Sequence, residues 1–224
     1  MLNFCTLPQT HYAFFDVDET LISMKSMFSF MALYFAHYPN PTLEHSFHQT
    51  MKKENIPREV KNANYYHFFR SFPVTNIRAI CQLWFEENAI NNTGFYHQNI
   101  LQQLKQHQTQ GTECVLVSGS FKQLLQPIAD DLGIEHILST NLEHDGLTFT
   151  GNIIPPQTIG AGKAAAISAF LTIQQSNPMK CFAYGDDISD VPMLALVGQP
   201  RAVSGERRLE KYAHNLGWEV IKPN

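Results

Sequence analysis

Four short stretches hold the residues with chemical capacity: Phe14-Phe15-Asp16-Val17-Asp18-Glu19-Thr20, Val117-Ser118-Gly119-Ser120, Gly160-Ala161-Gly162-Lys163 and Gly185-Asp186-Asp187-Ile188-Ser189-Asp190. In the first, an apolar run delivers two carboxylates, two residues apart, to a turn. There they repel each other and resist ionising together unless a cation lies close. Alone, that stretch reads equally well as a surface acidic turn. Taken together, the four contain what phosphoryl transfer requires. Asp16 has the chemistry of a carboxylate nucleophile that attacks phosphorus and gives an aspartyl-phosphate for water to hydrolyse. Asp18 would protonate the leaving alcohol and afterwards deprotonate the water. Asp16, the Val17 carbonyl and Asp186 supply hard oxygens of the kind Mg²⁺ takes alongside waters and a phosphate oxygen. Asp18 enters that ligand set only if it is not the acid. Ser118, the Gly119 N–H and the following helix N-terminus suit a phosphoryl oxygen, and Lys163 neutralises developing charge as a point cation.

These residues need elements that bring them to one place. Tyr12-Ala13-Phe14-Phe15 reads as a buried strand, 113–117 as a second that ends in a tight turn at 118–120, and 180–184 as another. A helix is predicted over 121–132, and Pro127 within it is expected to kink or break it. Strand 134–139 leads to a hairpin at 141–154 around Asp145-Gly146. An alanine-rich helix opens at Gly160–Lys163; a helix at 189–196, a strand near 201–203, a helix at 206–215 and a strand at 218–221 complete the chain. Such alternation implies an α/β fold, a Rossmann-like parallel sheet covered on both faces, whose strand-end loops converge on one edge.

The segment after the acidic turn is different. Met24, Met27, Phe28, Met31, Tyr34, Phe35 and Tyr38 recur at helical spacing up to Pro39-Asn40-Pro41, and helices are predicted at 42–53, 57–71 and 75–89. Between Met24 and Ile100 stand 15 of the chain's 26 aromatic residues, enough for this segment to build its own small core. It reads as an all-helical domain, 23–94, inserted into a core domain formed by 1–22 and 95–224, with Thr93-Gly94 at the return and a helix over 95–108.

The 224 residues carry a net charge of −4, with 16% charged, which leaves no basic footprint for nucleic acid or an anionic membrane surface. The expected partner is a small molecule. Cys5, Cys81, Cys114 and Cys181 form no CxxC pair and read as reduced, packed thiols. The amino terminus lacks the basic and long apolar regions of a signal peptide, and no apolar run has the length of a membrane span. These features lead us to expect a soluble, cytoplasmic protein, monomeric or homodimeric.

The order and identity of the four stretches resemble the haloacid-dehalogenase-like (HAD) phosphohydrolases. DVDET is similar to that family's first motif, DxDxT; VLVSGS to its second, a strand ending in Ser or Thr; GAGK to its third, a lysine at a helix start; and YGDDISD to its fourth, GDxxxD. The helical insertion directly after the first motif resembles the C1 cap of the phosphoserine-phosphatase-like subfamily IB. The resemblance continues through LLQPIADDLGI, DGLTFTGNI and DVPMLALVGQPRAV, and so covers nearly all of the chain outside the insertion. It implies a phosphatase that uses Mg²⁺ and hydrolyses a small phosphomonoester, with Asp16 as nucleophile, Asp18 as acid/base, Thr20 orienting the first loop, and Ser118 and Lys163 clamping the phosphoryl group. It further implies Asp186 as a direct Mg²⁺ ligand and Asp190 acting through water or by holding Lys163. Asp187 occupies a variable position. The first cap helix faces the active site in this family, so Phe28 and Met31 are expected to meet an apolar leaving group.

One departure bears on the substrate. Phosphoserine phosphatases carry a glutamate nine residues after the nucleophile to receive an ammonium group, and Lys25 stands there instead. Lys25 either favours an anionic group or is simply solvated. Arg58, Arg70 and Arg78 are read the same way, as surface residues or partners for a carboxylate or second phosphate. His45 and His48 lack a third ligand for a metal site, and Gly160–Lys163 departs from a P-loop at Gln157 and Ala164. Phosphotransfer to an acceptor alcohol through the same intermediate is the alternative function. A signalling receiver fits poorly, because its phosphorylated aspartate stands mid-chain and it has no helical cap.

Overall fold

The computed structural model describes residues 11–90 and 92–224. Cys5 and the expectation about a signal peptide therefore lie outside the described residues. Strand β1 (Tyr12–Phe15) is fully buried, and its four residues alternate between two hydrophobic cores. Tyr12 and Phe14 point to one face of the sheet and Ala13 and Phe15 to the other, the two-residue period of a strand covered on both sides. It is flanked by β2 (Glu113–Phe121) and β5 (Phe182–Gly185), both parallel to it. The seven-stranded sheet runs β4-β3-β2-β1-β5-β6-β7, completed by β3 (His136–His144), β4 (Phe149–Ile154), β6 (Gln199–Val203) and β7 (Glu219–Ile221). Only β4 is antiparallel, returning from β3 through a hairpin in which the Asp145 carboxylate accepts from the N–H groups of Leu147 and Thr148. The order places β1 at the centre, with its tip between the tips of β2 and β5.

Four helices occupy the insertion: α1 (Ser26–His37), α2 (Pro41–Met51), α3 (Arg58–His67) and α4 (Val74–Ala89). Then come α5 (Gln98–Thr109), α6 (Lys122–Leu132), α7 (Ala161–Ile173), α8 (Val191–Leu194) and α9 (Arg207–Leu216). No helix among the described residues is long and apolar enough to cross a membrane. Cys81, Cys114 and Cys181 are free and buried, and burial holds each thiol above its ordinary pKa.

Three sequence expectations need correction. Helix α6 runs unbroken through Pro127, because Leu124, Leu125, Ile128 and Ala129, all fully buried, hold it to the core on both sides of the proline. The tight turn expected at 118–120 is instead a bulge within β2: Ser118 pairs with Ser139 and Phe121 with Thr140, so Gly119 and Ser120 are squeezed out between adjacent partners. The insertion also has no separate core. Phe30, Phe69 and Tyr66 pack on Phe121 of β2 with ring centroids 5.3, 5.2 and 6.0 Å apart, and Phe69 also meets Phe149 of β4 at 6.0 Å. Main-chain bonds reinforce this seam: Ser71 N–H to the Phe149 carbonyl, Phe149 N–H to the Phe72 carbonyl, and Val74 N–H to the Leu147 carbonyl, at 2.8 to 3.0 Å. At the other crossing the outgoing and returning chains run side by side, Ser23 N–H donating to Phe95 and His97 N–H to Leu21.

Candidate active site

Asp16 follows directly on β1, where its N–H donates to the Tyr184 carbonyl of β5 at 2.9 Å and so fixes it at the strand tip. Its carboxylate is buried, and Oδ1 lies 2.6 Å from Lys163 Nζ. Lys163 comes from the first turn of α7. Gly162 lets that turn close down: a side chain there would collide with the Gln157 carbonyl. Lys163 Nζ also donates to Asp190 Oδ1 at 2.6 Å, and Asp190 Oδ2 accepts from the Asp187 N–H at 3.2 Å. Both Asp190 oxygens are thus engaged, an arrangement suited to holding the lysine. Thr20, fully buried, donates to Asp186 Oδ1 at 2.7 Å and reaches 3.5 Å from Asp16 Oδ2. The first, third and fourth stretches therefore meet in one network, as the parallel sheet requires.

The charges in this network are out of balance. Burial opposes the charge on Lys163, but the Asp16 and Asp190 carboxylates outweigh it and hold the pKa above the ordinary lysine range. Asp186 is pushed up to about 8, first by burial and then by Asp16, against the hydrogen bond from Thr20. Burial also raises Asp190, with Lys163 pulling the other way. Asp16, Asp186 and Asp190 can bring one carboxylate oxygen each within 4.8 Å of one another. Asp16 and Asp190 are buried and Asp186 half-buried; three carboxyl groups share one lysine, and hard oxygens so close fit a small divalent cation such as Mg²⁺. The Val17 carbonyl lies in the same loop as Asp16. It accepts the N–H groups of Leu21 and Ile22 at 2.9 and 3.0 Å across a turn that passes through a left-handed Glu19 at φ 62°.

A cavity of about 250 Å³ opens over Asp16. On the side of the sheet it is lined by Asp18, Ser118, Gly119, Ser120 and Lys163. Ser118 Oγ accepts from the Ser120 N–H at 3.0 Å, which leaves its own proton to be donated. The helical insertion forms the opposite wall with Met27, Phe28, Met51 and Tyr65, and adds the cations Lys25, Arg58 and Lys61. Lys25 lies 3.1 Å from Glu19, both half exposed. Met31 is not in this wall; it is fully buried a turn deeper, in the aromatic core. Asp18, two residues beyond Asp16, has its pKa pushed up to about 6 by burial, Ser26 opposing and Asp16 adding to the shift.

Helix α3 binds the insertion to the site loops, which the sequence did not disclose. Arg58 pairs with Asp187 at 2.7 Å and donates to Ser189 Oγ at 2.9 Å. Tyr66 Oη and Asn62 Nδ2 both donate to the Gly119 carbonyl, at 2.8 and 3.2 Å, and Gln157 reaches back to Asn62 Oδ1. The available signal was the i, i+4 spacing of Asn62 and Tyr66, two polar groups on the buried face of one helix. Arg70 and Arg78 do not line the cavity.

The model of the haloacid dehalogenase-like hydrolase family matches residues 13–195. A probable phosphatase of Mycobacterium tuberculosis is 28% identical over 217 residues, covering 93% of this chain and 74% of that protein. A histidinol-phosphatase of Neisseria meningitidis is 26% identical, covering 93% of this chain and 97% of that one. The inhibition of morphological differentiation protein of Streptomyces azureus is 34% identical over 119 residues, and the match spans only 43% of its length. Among solved structures, a Bordetella pertussis protein of unknown function superposes with a TM-score of 0.81 at 22% identity, covering 96% of this chain and all of that one. A substrate-bound phosphoserine phosphatase gives 0.68 at 14% identity, with 96% and 94% covered. With its four motif loops at one sheet edge and the match running from β1 through α8, the chain belongs to the haloacid dehalogenase-like hydrolases, and is similar along nearly its whole length to phosphatases.

Proposed function

We propose that the protein is a Mg²⁺-dependent phosphomonoesterase that hydrolyses a small organic phosphate through an aspartyl-phosphate on Asp16, with residues 23–94 as its cap. The observation that carries this reading is the position of Asp16: buried at the central strand tip, one oxygen held by Lys163, at the floor of a cavity that admits a phosphate. Asp16 attacks phosphorus, the ester P–O bond breaks with its electron pair going to the leaving oxygen, and that oxygen takes the proton of Asp18. Asp18, now a carboxylate, removes a proton from water, whose oxygen attacks the phosphorus and releases Asp16 and inorganic phosphate. Ser118 and Lys163 hold the non-bridging oxygens and offset their charge. When bound beside Asp16 and Asp186, Mg²⁺ supplies positive charge next to the transferring group.

The cap wall sets the leaving group. Met27, Phe28 and Met51 favour an apolar body, and Lys25, Arg58 and Lys61 favour an anionic end over an ammonium. Turnover of nitrophenyl phosphate by Asp16→Asn tests the mechanism: loss by orders of magnitude is expected, and undiminished turnover overturns it. A panel of phosphoserine, histidinol phosphate, glycerol phosphates and phosphocholine tests the cap. Release of inorganic phosphate in full, with added alcohols present, separates hydrolysis from transfer.

A further inference from the structure

We infer that Tyr66 and Asn62 of α3 are positioning residues for the Ser118 hydroxyl and act on it through the peptide group between Gly119 and Ser120. This rests on the hydrolytic reading above, in which Ser118 holds a phosphoryl oxygen. The pairing of β2 with β1 ends at Leu116, and its pairing with β3 passes from Ser118 directly to Phe121, so the bulged peptide has no strand partner to anchor it. A Cβ at residue 119 would come within 2.6 Å of Ile159; the position takes glycine, whose backbone is the least restrained. The insertion supplies the hold instead. The Gly119 carbonyl accepts from Tyr66 Oη at 2.8 Å and from Asn62 Nδ2 at 3.2 Å, and both donors belong to buried side chains. Asn62 is itself oriented, because its Oδ1 accepts from Gln157 and leaves Nδ2 to face Gly119.

The other end of the same peptide reaches the reaction. This peptide is trans, so its carbonyl and N–H point opposite ways, and donors that fix the Gly119 oxygen also fix the direction of the Ser120 N–H. That N–H donates to Ser118 Oγ at 3.0 Å, which turns the hydroxyl proton away from Ser120 and toward a phosphoryl oxygen. A peptide free to rotate would withdraw the N–H, and the hydroxyl would lose its set direction. Tyr66 does not line the cavity, so it acts on a bound phosphate only along such a path.

A double-mutant cycle on nitrophenyl phosphate turnover tests this, because a path through Ser118 ends where its hydroxyl is removed. Ser118→Ala alone should lower kcat/KM on the order of 100-fold, as loss of one donor to developing charge does. Tyr66→Phe keeps the ring and removes only the hydroxyl. It should lower kcat/KM about 5-fold or more when Ser118 is present, and less than about 2-fold in the Ser118→Ala background. Asn62→Ala should show the same dependence on Ser118, and it carries the cycle if Tyr66→Phe does not fold. Equal losses in the two backgrounds, as a general loosening of the fold or a direct contact with substrate would give, overturn the inference. So does the absence of any loss when Ser118 is present, or a Ser118→Ala enzyme of undiminished kcat/KM. If any of these occurs while Asp16→Asn abolishes turnover, the inference alone fails; if Asp16→Asn retains turnover, the hydrolytic reading fails and takes the inference with it.

Discussion

Burial and the neighbouring Asp16 push Asp186 up to about 8, and to serve as the proposed Mg²⁺ ligand it would have to be a carboxylate. Binding of Mg²⁺ at pH 7 should therefore release close to one proton, and affinity should climb as pH rises toward 8 and flatten above it. Calorimetry in two buffers of different ionisation enthalpy measures this; a heat independent of buffer would refute it. The Lys163–Asp190 pair makes a second prediction. Both side chains are under 7% exposed, so Asp190→Ala removes one of the two carboxylates that hold the buried lysine and should cost about 1.5–3 kcal/mol in urea unfolding, against little for an exposed pair. Asp16, Lys163 and Asp186 were legible in the sequence because strand-end carboxylates and a helix-start lysine carry their chemistry in their residue type. A backbone ligand such as the Val17 carbonyl carries no such signal, because every residue has a carbonyl and only the fold determines where it points.

At the scale of elements, α3 is tied to the site loops through two unlike sets of contacts. Tyr66 and Asn62 are buried against Gly119, but the Arg58 side chain is 54% exposed, and its pair with Asp187 is worth under about 1 kcal/mol. Arg58→Ala should leave the unfolding midpoint almost unchanged and raise hydrogen exchange in residues 52–60, while 65–74 stay protected. Equal exchange across both segments would show that α3 moves as one piece. The elements themselves were largely legible: the strands by their apolar runs, the insertion by its helical spacing, the hairpin by Asp145-Gly146. Pro127 was read as a kink or a break, and the helix runs on through it, because local propensity carries no information about the core that packs around it. The bulge at Gly119 and Ser120 was invisible for a related reason, since it arises from register with β3, a partner set by the whole sheet.

At the scale of the molecule, the aromatic seam of Phe30, Tyr66, Phe69, Phe121 and Phe149 joins the insertion and the sheet in one hydrophobic cluster. The two tryptophans fall conveniently, Trp84 in α4 and Trp218 just before β7. Trp84→Phe and Trp218→Phe should report the same unfolding midpoint from opposite ends, and Phe69→Ala should lower both together by about 3–5 kcal/mol. Two separated midpoints would show independent domains, which is what the aromatic count alone led us to expect. The count located the residues but not their partners. The strap of main-chain bonds between Ser71–Val74 and Leu147–Phe149 bears on how such enzymes exchange specificity. A helical insertion grafted from a homologue at its two sequence junctions would arrive without the β3–β4 hairpin that it is sewn to. The unit that recombines intact is therefore discontinuous, the insertion together with the hairpin some fifty residues downstream, and chimeras built with both pieces should fold where those built with one do not.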